Sequence, residues 1–352
     1  MRIARCGPAT PHYPREDREV VMRYLLGFLC VCALGVMPVV GCSETAGDGG
    51  SGGAGGVGGQ GGDGPGTLLS AEEIASDEID PGGRGIRGWR VLYASESIDG
   101  TPIEVSGIVI ASSEPPADGV RDVISFGNGS VGLFDACTAS DHIQSYPWLF
   151  YNMVPQLISQ GYVYVATDYE GLDTPGVHRY LIGPSEGRGV LDIVRAAQQI
   201  EEAYAGDRTV LWGISQGGHA VLFAAEIARE WAPEIEVLGA VAAAPGATEW
   251  DSLLDDMAAD LPDVRGYLWM ATLAYEDAYP ELSLEDIYDP QTIATIRDLA
   301  DQGACWAPFG AAAAGVANAG FVTSPNELPA WRERLLENSP GYTRTETPTL
   351  MT

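Results

Sequence analysis

A serine with a glycine two residues to either side, Gly213-Ile214-Ser215-Gln216-Gly217, is the arrangement in this chain best suited to covalent chemistry. The apolar run Thr209-Val210-Leu211-Trp212 before it reads as a buried strand, and helical spacing follows from about Gln216 to Ala232. A strand that turns sharply into a helix lifts the intervening side chain out of the sheet, and glycines are needed where a Cβ would strike strand or helix. Ser215 then acts as a nucleophile with a helix N-terminus behind it. The backbone N–H of Gln216 is placed to hold the negative charge that develops on a carbonyl oxygen under attack. The chemistry is acyl transfer. A second donor is expected from the loop after the apolar strand Asp122-Val123-Ile124-Ser125-Phe126. There Gly127-Asn128-Gly129-Ser130-Val131-Gly132 lets the backbone at Asn128 and Gly129 face the same oxygen. The competing reading of either segment is a glycine-rich turn without chemistry. Asn128-Gly129-Ser130 also matches the glycosylation sequon, which is discounted because a glycan would block the loop.

The elements that must carry these loops alternate along the chain. Gly88 to Ser95 and Pro102 to Ile110 predict an antiparallel pair around the turn Asp99-Gly100. Helical spacing over Pro147 to Gln160 stops at Gly161, Tyr162-Val163-Tyr164-Val165-Ala166 reads as a strand, Ser185 to Tyr204 as a helix, and Val237 to Ala243 as the next strand. Strands separated by helices of this length predict a mostly parallel sheet covered on both faces, the α/β class. From Gly246 to about Thr345 the alternation gives way to acidic helical pieces with aromatics, such as Tyr267-Leu268-Trp269-Met270, and the alanine-rich stretch Ala311 to Val316. A segment of that size after a core strand predicts a helical cap over residues 246–345. Its aromatics are read as ordinary helix core rather than a lipid-binding face.

The N-terminal part is of a different kind. A short basic start at Met22-Arg23 leads into an apolar run from Tyr24 to Val40, which reads as a secretory signal too short to be taken first as a membrane span. It ends Val39-Val40-Gly41-Cys42, similar to the lipobox of bacterial lipoproteins, so Cys42 is the expected lipid anchor and residues 1–42 the precursor. An ordinary signal peptide cleaved nearby is the alternative. Met22 is a candidate start. Residues 43–67 form a glycine-rich linker, too poor in side chains to build a core, and the folded domain is expected over 68–352. Only Cys137 and Cys305 remain within it. In an oxidising compartment they are expected to form a disulfide, two free buried thiols being the alternative. With 49 acidic against 19 basic residues, a formal charge of -30, the chain lacks the cations a nucleic-acid partner requires.

These segments together resemble the secretory lipase family of α/β-hydrolases, the lipase A-like group of fungi and many bacteria. The likeness runs from about Gly88 to Thr352. Its motifs are Gly127 to Cys137, Thr167-Asp168-Tyr169-Glu170-Gly171, His178-Arg179-Tyr180-Leu181-Ile182-Gly183 with Ser185-Glu186-Gly187-Arg188, and Gly213 to His219, in this order. The resemblance implies an α/β-hydrolase fold, a secreted carboxylic ester hydrolase, a cap over an acyl-binding tunnel, and a Ser-Asp-His triad. Ser215 carries over as nucleophile and Gln216 as oxyanion donor. Asn128 departs from the pattern, standing where bacterial relatives usually carry histidine.

In that fold the acid and the histidine follow the serine along the chain. Of the four histidines, His12, His142, His178 and His219, only the last lies beyond Ser215. Its place four residues on predicts a packing or capping role, and His142 or His178 serves as base only in a rearranged triad. The aspartates from Asp251 to Asp301 fall in the expected cap. Thr347-Pro348-Thr349-Leu350-Met351-Thr352 has the look of a strand beginning where the family's acid-bearing strand starts. The expectation is therefore a C-terminally truncated hydrolase of impaired activity. Such a protein acts on an ester or lipid, attaches to a membrane in the cell envelope or outside the cell through Cys42, is a monomer, and uses no cofactor and no metal. The alternative is a non-catalytic surface lipoprotein that binds a ligand or partner.

Overall fold

The computed structural model describes residues 64–117, 119–140, 153–246, 250 and 265–352. Cys42, the signal segment, most of the glycine-rich linker, His12, His142 and the first residues of the helix expected over Pro147 to Gln160 lie outside the described residues.

Among the described residues eight strands form one sheet in the order β1-β2-β3-β5-β4-β6-β7-β8. They are β1 Leu68–Glu73, β2 Ile86–Glu96, β3 Pro102–Ser112, β4 Arg121–Gly127, β5 Val163–Thr167, β6 Ala205–Ile214, β7 Glu236–Ala243 and β8 Thr349–Met351. The first three and β5 pair antiparallel, and β5, β4, β6, β7 and β8 run parallel. The β2–β3 hairpin closes at the expected turn. Gly100 takes φ +86, which glycine adopts without strain, and the Asp99 carboxylate accepts from the Thr101 N–H at 2.9 Å.

Burial on both faces is written into the strands. Side chains alternate across a sheet, and in β3 Val109 and Ala111 enter one apolar cluster while Ile108 and Ile110 enter another. Val163 and Val165 of β5 divide from Tyr164 and Ala166 in the same way. The first cluster is covered by α3 Gly183–Gln198 and α4 Gln216–Trp231, the second by the short α2 Val154–Ser159 and by Ile79 of α1 Ser76–Ile79. Small residues let α3 and α4 approach closely: a Cβ on Gly187 would stand 2.9 Å from the Ala224 nitrogen.

Between β7 and β8 the described chain is helical: α5 Arg265–Ala278, α6 Pro290–Asp301, α7 Trp306–Ala314 and α8 Pro329–Glu337. Helix α6 starts by local rules, with Pro290 in its first turn and Asp289 accepting from the Gln291 and Thr292 N–H groups. These helices and their connections build a further cluster around Trp269, Tyr275, Tyr288, Phe309 and Trp331, which Leu133 and Tyr180, Leu181 and Ile182 join from the loops beside the sheet. Among the described residues no helix is long and apolar enough to cross a membrane.

Besides shifts of one or two residues at strand ends, three larger differences separate the structure from the sequence reading. Strand β1 was not expected. It is an edge strand whose residues are mostly exposed, so it lacks the apolar alternation that marks a buried one. Helix α3 stops at Gln198 rather than near Tyr204, because Ile200 turns extended (φ -92, ψ 101) and enters the core, after which Tyr204 adopts φ 54. Strand β6 is longer than Thr209–Trp212 at both ends and delivers Ile214 directly to the serine.

Candidate active site

Ser215 sits between β6 and α4 at φ 56, ψ -119, a conformation of the kind that costs a non-glycine residue roughly 1–3 kcal/mol and persists only where the surroundings impose it. The surroundings are backbone. The Ser215 N–H donates to the Ala243 carbonyl at 2.9 Å, and its own carbonyl accepts from His219 N–H at 3.1 Å and Gly246 N–H at 3.0 Å. A Cβ on Gly213 would lie 2.0 Å from the Gly217 oxygen, and one on Gly217 would lie 1.8 Å from the Gly127 oxygen. The elbow is thus packed, main chain on main chain, against the end of β4. Its serine side chain is exposed.

The register of the parallel strands brings the second loop to the same place. Gly127 is the cross-strand partner of Gly213, and a Cβ on Gly129 would face the Ile214 carbonyl at 3.6 Å. The side chain of Asn128 turns inward. It is buried and its amide donates to the Thr167 carbonyl at 2.9 Å, while the main-chain carbonyl of Asn128 accepts from the Tyr169 hydroxyl at 3.0 Å. Position 128 therefore braces the loop with its side chain and offers chemistry only through its backbone. The same burial leaves the sequon asparagine committed inside the protein. Ser130 shares a 2.6 Å hydrogen bond with the Tyr180 hydroxyl.

Beyond this loop, Cys137 and Cys305 are joined in a disulfide with their Cα atoms 5.5 Å apart. Gly132 pairs with Cys305 in an isolated antiparallel bridge, and the Trp306 N–H donates to the Val131 carbonyl at 3.1 Å. The start of α7 is fastened to the loop that follows β4.

Beneath the elbow lies a polar bed that the sequence reading did not foresee. Glu186, in the first turn of α3, is buried and accepts from the Leu181 N–H at 2.9 Å and from the Gln216 side-chain amide at 2.8 Å. Its other oxygen meets His219 Nδ1 at 2.7 Å. The second amide hydrogen of Gln216 points to His178 Nε2 at 2.6 Å, and His178 Nδ1 lies 2.9 Å from the Glu170 carbonyl. Because a carbonyl only accepts, Nδ1 of His178 carries the proton and Nε2 is the acceptor, a neutral imidazole. Burial favours this form and lowers the His178 pKa below its ordinary 6.5. By the same inventory His219 Nε2 donates to the Asn338 carbonyl at 2.9 Å. Asn338 also accepts from the Gly183 N–H at 2.9 Å and donates to the Tyr279 hydroxyl at 2.8 Å.

The fate of the histidines follows. Both nitrogens of His178 and both of His219 are engaged away from the serine, so the packing role expected of His219 holds and His178 serves the bed. The carboxylate–imidazole pair Glu186–His219 sits four residues from Ser215 yet faces Asn338. Among the described residues none hydrogen-bonds the Ser215 hydroxyl. None of their His, Cys, Asp and Glu side chains cluster in a way that could hold a metal ion. The signal for the bed was present in the sequence as Ser185-Glu186-Gly187, an acid amid small residues on a helix that is otherwise buried.

Residues 150–284 match the family described as secretory lipase. Lipase A of Moesziomyces aphidis is 32% identical over 83 residues, 24% of this chain and 17% of that protein. Lipase 5 of Candida albicans is 29% identical over 170 residues, covering 43% and 34%. A probable inactive lipase of Mycobacterium tuberculosis is 25% identical over 190 residues, covering 51% and 42%. The chain thus spans less than half the length of each of these curated relatives. Among solved structures, the rice cell wall degrading esterase LipA from Xanthomonas oryzae superposes with a TM-score of 0.68 at 20% identity over 82% of both chains. Candida antarctica lipase A in its closed state gives 0.68 at 16% identity, over 82% of this chain and 69% of that one. The fold is that of the α/β-hydrolases.

Proposed function

From that likeness to secretory lipases we propose that the chain is a serine carboxylic ester hydrolase. The observation that carries this reading is the conformation of Ser215: an exposed serine held at φ 56 on a strand-to-helix turn by glycines that admit no side chain. In the reaction the Ser215 Oγ attacks the ester carbonyl carbon. The oxyanion is held by the Gln216 N–H, which as the first of α4 has no acceptor within the helix, and by backbone N–H groups at Asn128 and Gly129. The tetrahedral intermediate expels the alcohol and leaves an acyl-enzyme, which water opens to the free acid. The helical segment between β7 and β8 serves as a cap beside this site. Cys42 carries a lipid that anchors the protein in the envelope or outside the cell, in accord with the secretory family matched.

Activity is expected to be low. A serine hydroxyl needs a base, and both described histidines are committed elsewhere. This favours a second reading, a surface lipoprotein that binds without turnover, and one relative bears the name of a probable inactive lipase. Hydrolysis of nitrophenyl butyrate by the purified protein and by Ser215→Ala separates the two. Slow turnover that Ser215→Ala abolishes supports the hydrolase, with residual catalysis on the order of 10³-fold over water. Equal rates in both proteins overturn it.

A further inference from the structure

Gln216 gives its oxyanion hydrogen bond through the main chain, so that bond makes no demand on the side chain. Yet the side chain is buried and both its amide hydrogens are engaged, by His178 Nε2 at 2.6 Å and Glu186 at 2.8 Å. Its amide oxygen is buried with no partner. Turning the amide over would set that oxygen against the Glu186 carboxylate, so the group keeps both donor bonds at the expense of its acceptor. Each acceptor is fixed in turn. Glu186 is held by the Leu181 N–H and His219, and His178 by the Glu170 carbonyl and by stacking on Tyr169, ring centroids 5.4 Å apart.

We propose that Glu186 and His178 are positioning residues that clamp the Gln216 side chain and, through it, hold the Gln216 main-chain N–H in the direction of the developing oxyanion. The inference rests on the ester-hydrolase reading above. The direction of that N–H is set by the peptide plane between Ser215 and Gln216, and Ser215 is in a strained conformation at ψ -119. Relaxation about this bond rotates the N–H away from the site. The Ser215 carbonyl at the other end of that plane accepts from the His219 and Gly246 N–H groups, and a side chain locked one residue later adds to this hold from the Gln216 side. Burial of the clamp keeps water from competing for its hydrogen bonds.

The test uses the full chain and two variants, Gln216→Met, which keeps length and the main-chain N–H but removes the amide, and Glu186→Gln, which removes the charge. Ser215 is labelled with nitrophenyl ethylphosphonate, followed by intact mass, and the adduct is read by phosphorus NMR, whose shift reports hydrogen bonding to the phosphoryl oxygen. Gln216→Met is expected to lower the limiting labelling rate on the order of 10²-fold, the scale of a misplaced group in a catalytic site, with an unchanged half-saturating concentration and a displaced phosphorus signal, measured well below a melting temperature that the loss of two buried hydrogen bonds lowers. An unchanged limiting rate and signal overturn the clamp. If the unsubstituted chain forms no adduct, it is the hydrolase reading that has failed. The clamp is then judged on imidazole nitrogen NMR of His178. The Nε2 signal is expected to be that of an acceptor and to move in both variants, and an identical Nε2 signal in all three proteins overturns the proposal.

Discussion

Gly217 stands so close to Gly127 that a Cβ on the first would lie 1.8 Å from the carbonyl oxygen of the second. The two loops of the site are therefore one main-chain contact, and neither side can yield by turning a flexible side chain. Gly217→Ala is expected to destabilise the protein by about 3 kcal/mol, the upper part of the usual overpacking range. Urea unfolding reads this as a lower midpoint, and a midpoint equal to that of the unsubstituted protein contradicts the contact.

His178 gives the stability a pH dependence of definite sign. Burial lowers its pKa below 6.5, against opposing attraction from Glu186 and Glu170. Below 6.5 the unfolded chain takes up a proton that the folded one resists, so this contribution is complete above 6.5 and is lost as pH falls through the folded value. Unfolding free energies at about pH 7.5 and about pH 5 should differ more for the unsubstituted protein than for His178→Asn. Equal differences would show that His178 is not the group responsible.

The Cys137–Cys305 bridge closes a loop with a sequence separation of 168. On the chain-entropy account such a cross-link stabilises by about 5 kcal/mol. Reduction, or Cys305→Ser, is expected to lower the melting temperature and to quicken hydrogen exchange in residues 127–137 and 305–314 ahead of the sheet. Uniform loosening of the whole domain would argue against a local fastening.

Cys42 is expected to hold the protein in the membrane fraction. The motif Val39-Val40-Gly41-Cys42 before a glycine-rich stretch motivates this. Detergent-free washing should release Cys42→Ser and retain the unsubstituted protein. Retention and processing identical in both would rule out the lipid.

Much of this site was legible because it depends on glycine spacing and on period. Gly213 and Gly217 around Ser215, an apolar strand before and a helix after, mark the elbow without tertiary information, and Asp99-Gly100 marks the hairpin in the same local way. Glu186 and His178 were illegible as a pair. They are separated from Gln216 by 30 and 38 residues, and only the packing of α3 and of the loop before it against α4 joins them. Asn128 was half legible: its loop was expected, whereas the inward turn of its amide depends on the Thr167 carbonyl of a neighbouring strand.

Asn338 imposes an order on synthesis. It is the acceptor for His219 and for the N–H that opens α3, yet it follows them by 119 and 155 residues. While the ribosome has still to release it, the helices beside Ser215 carry two donors that cannot be buried without loss, and every strand up to β7 has already been made. The emerging chain leaves the polar bed beside Ser215 open to water until Asn338 arrives, so this region closes after the strands up to β7 have been made.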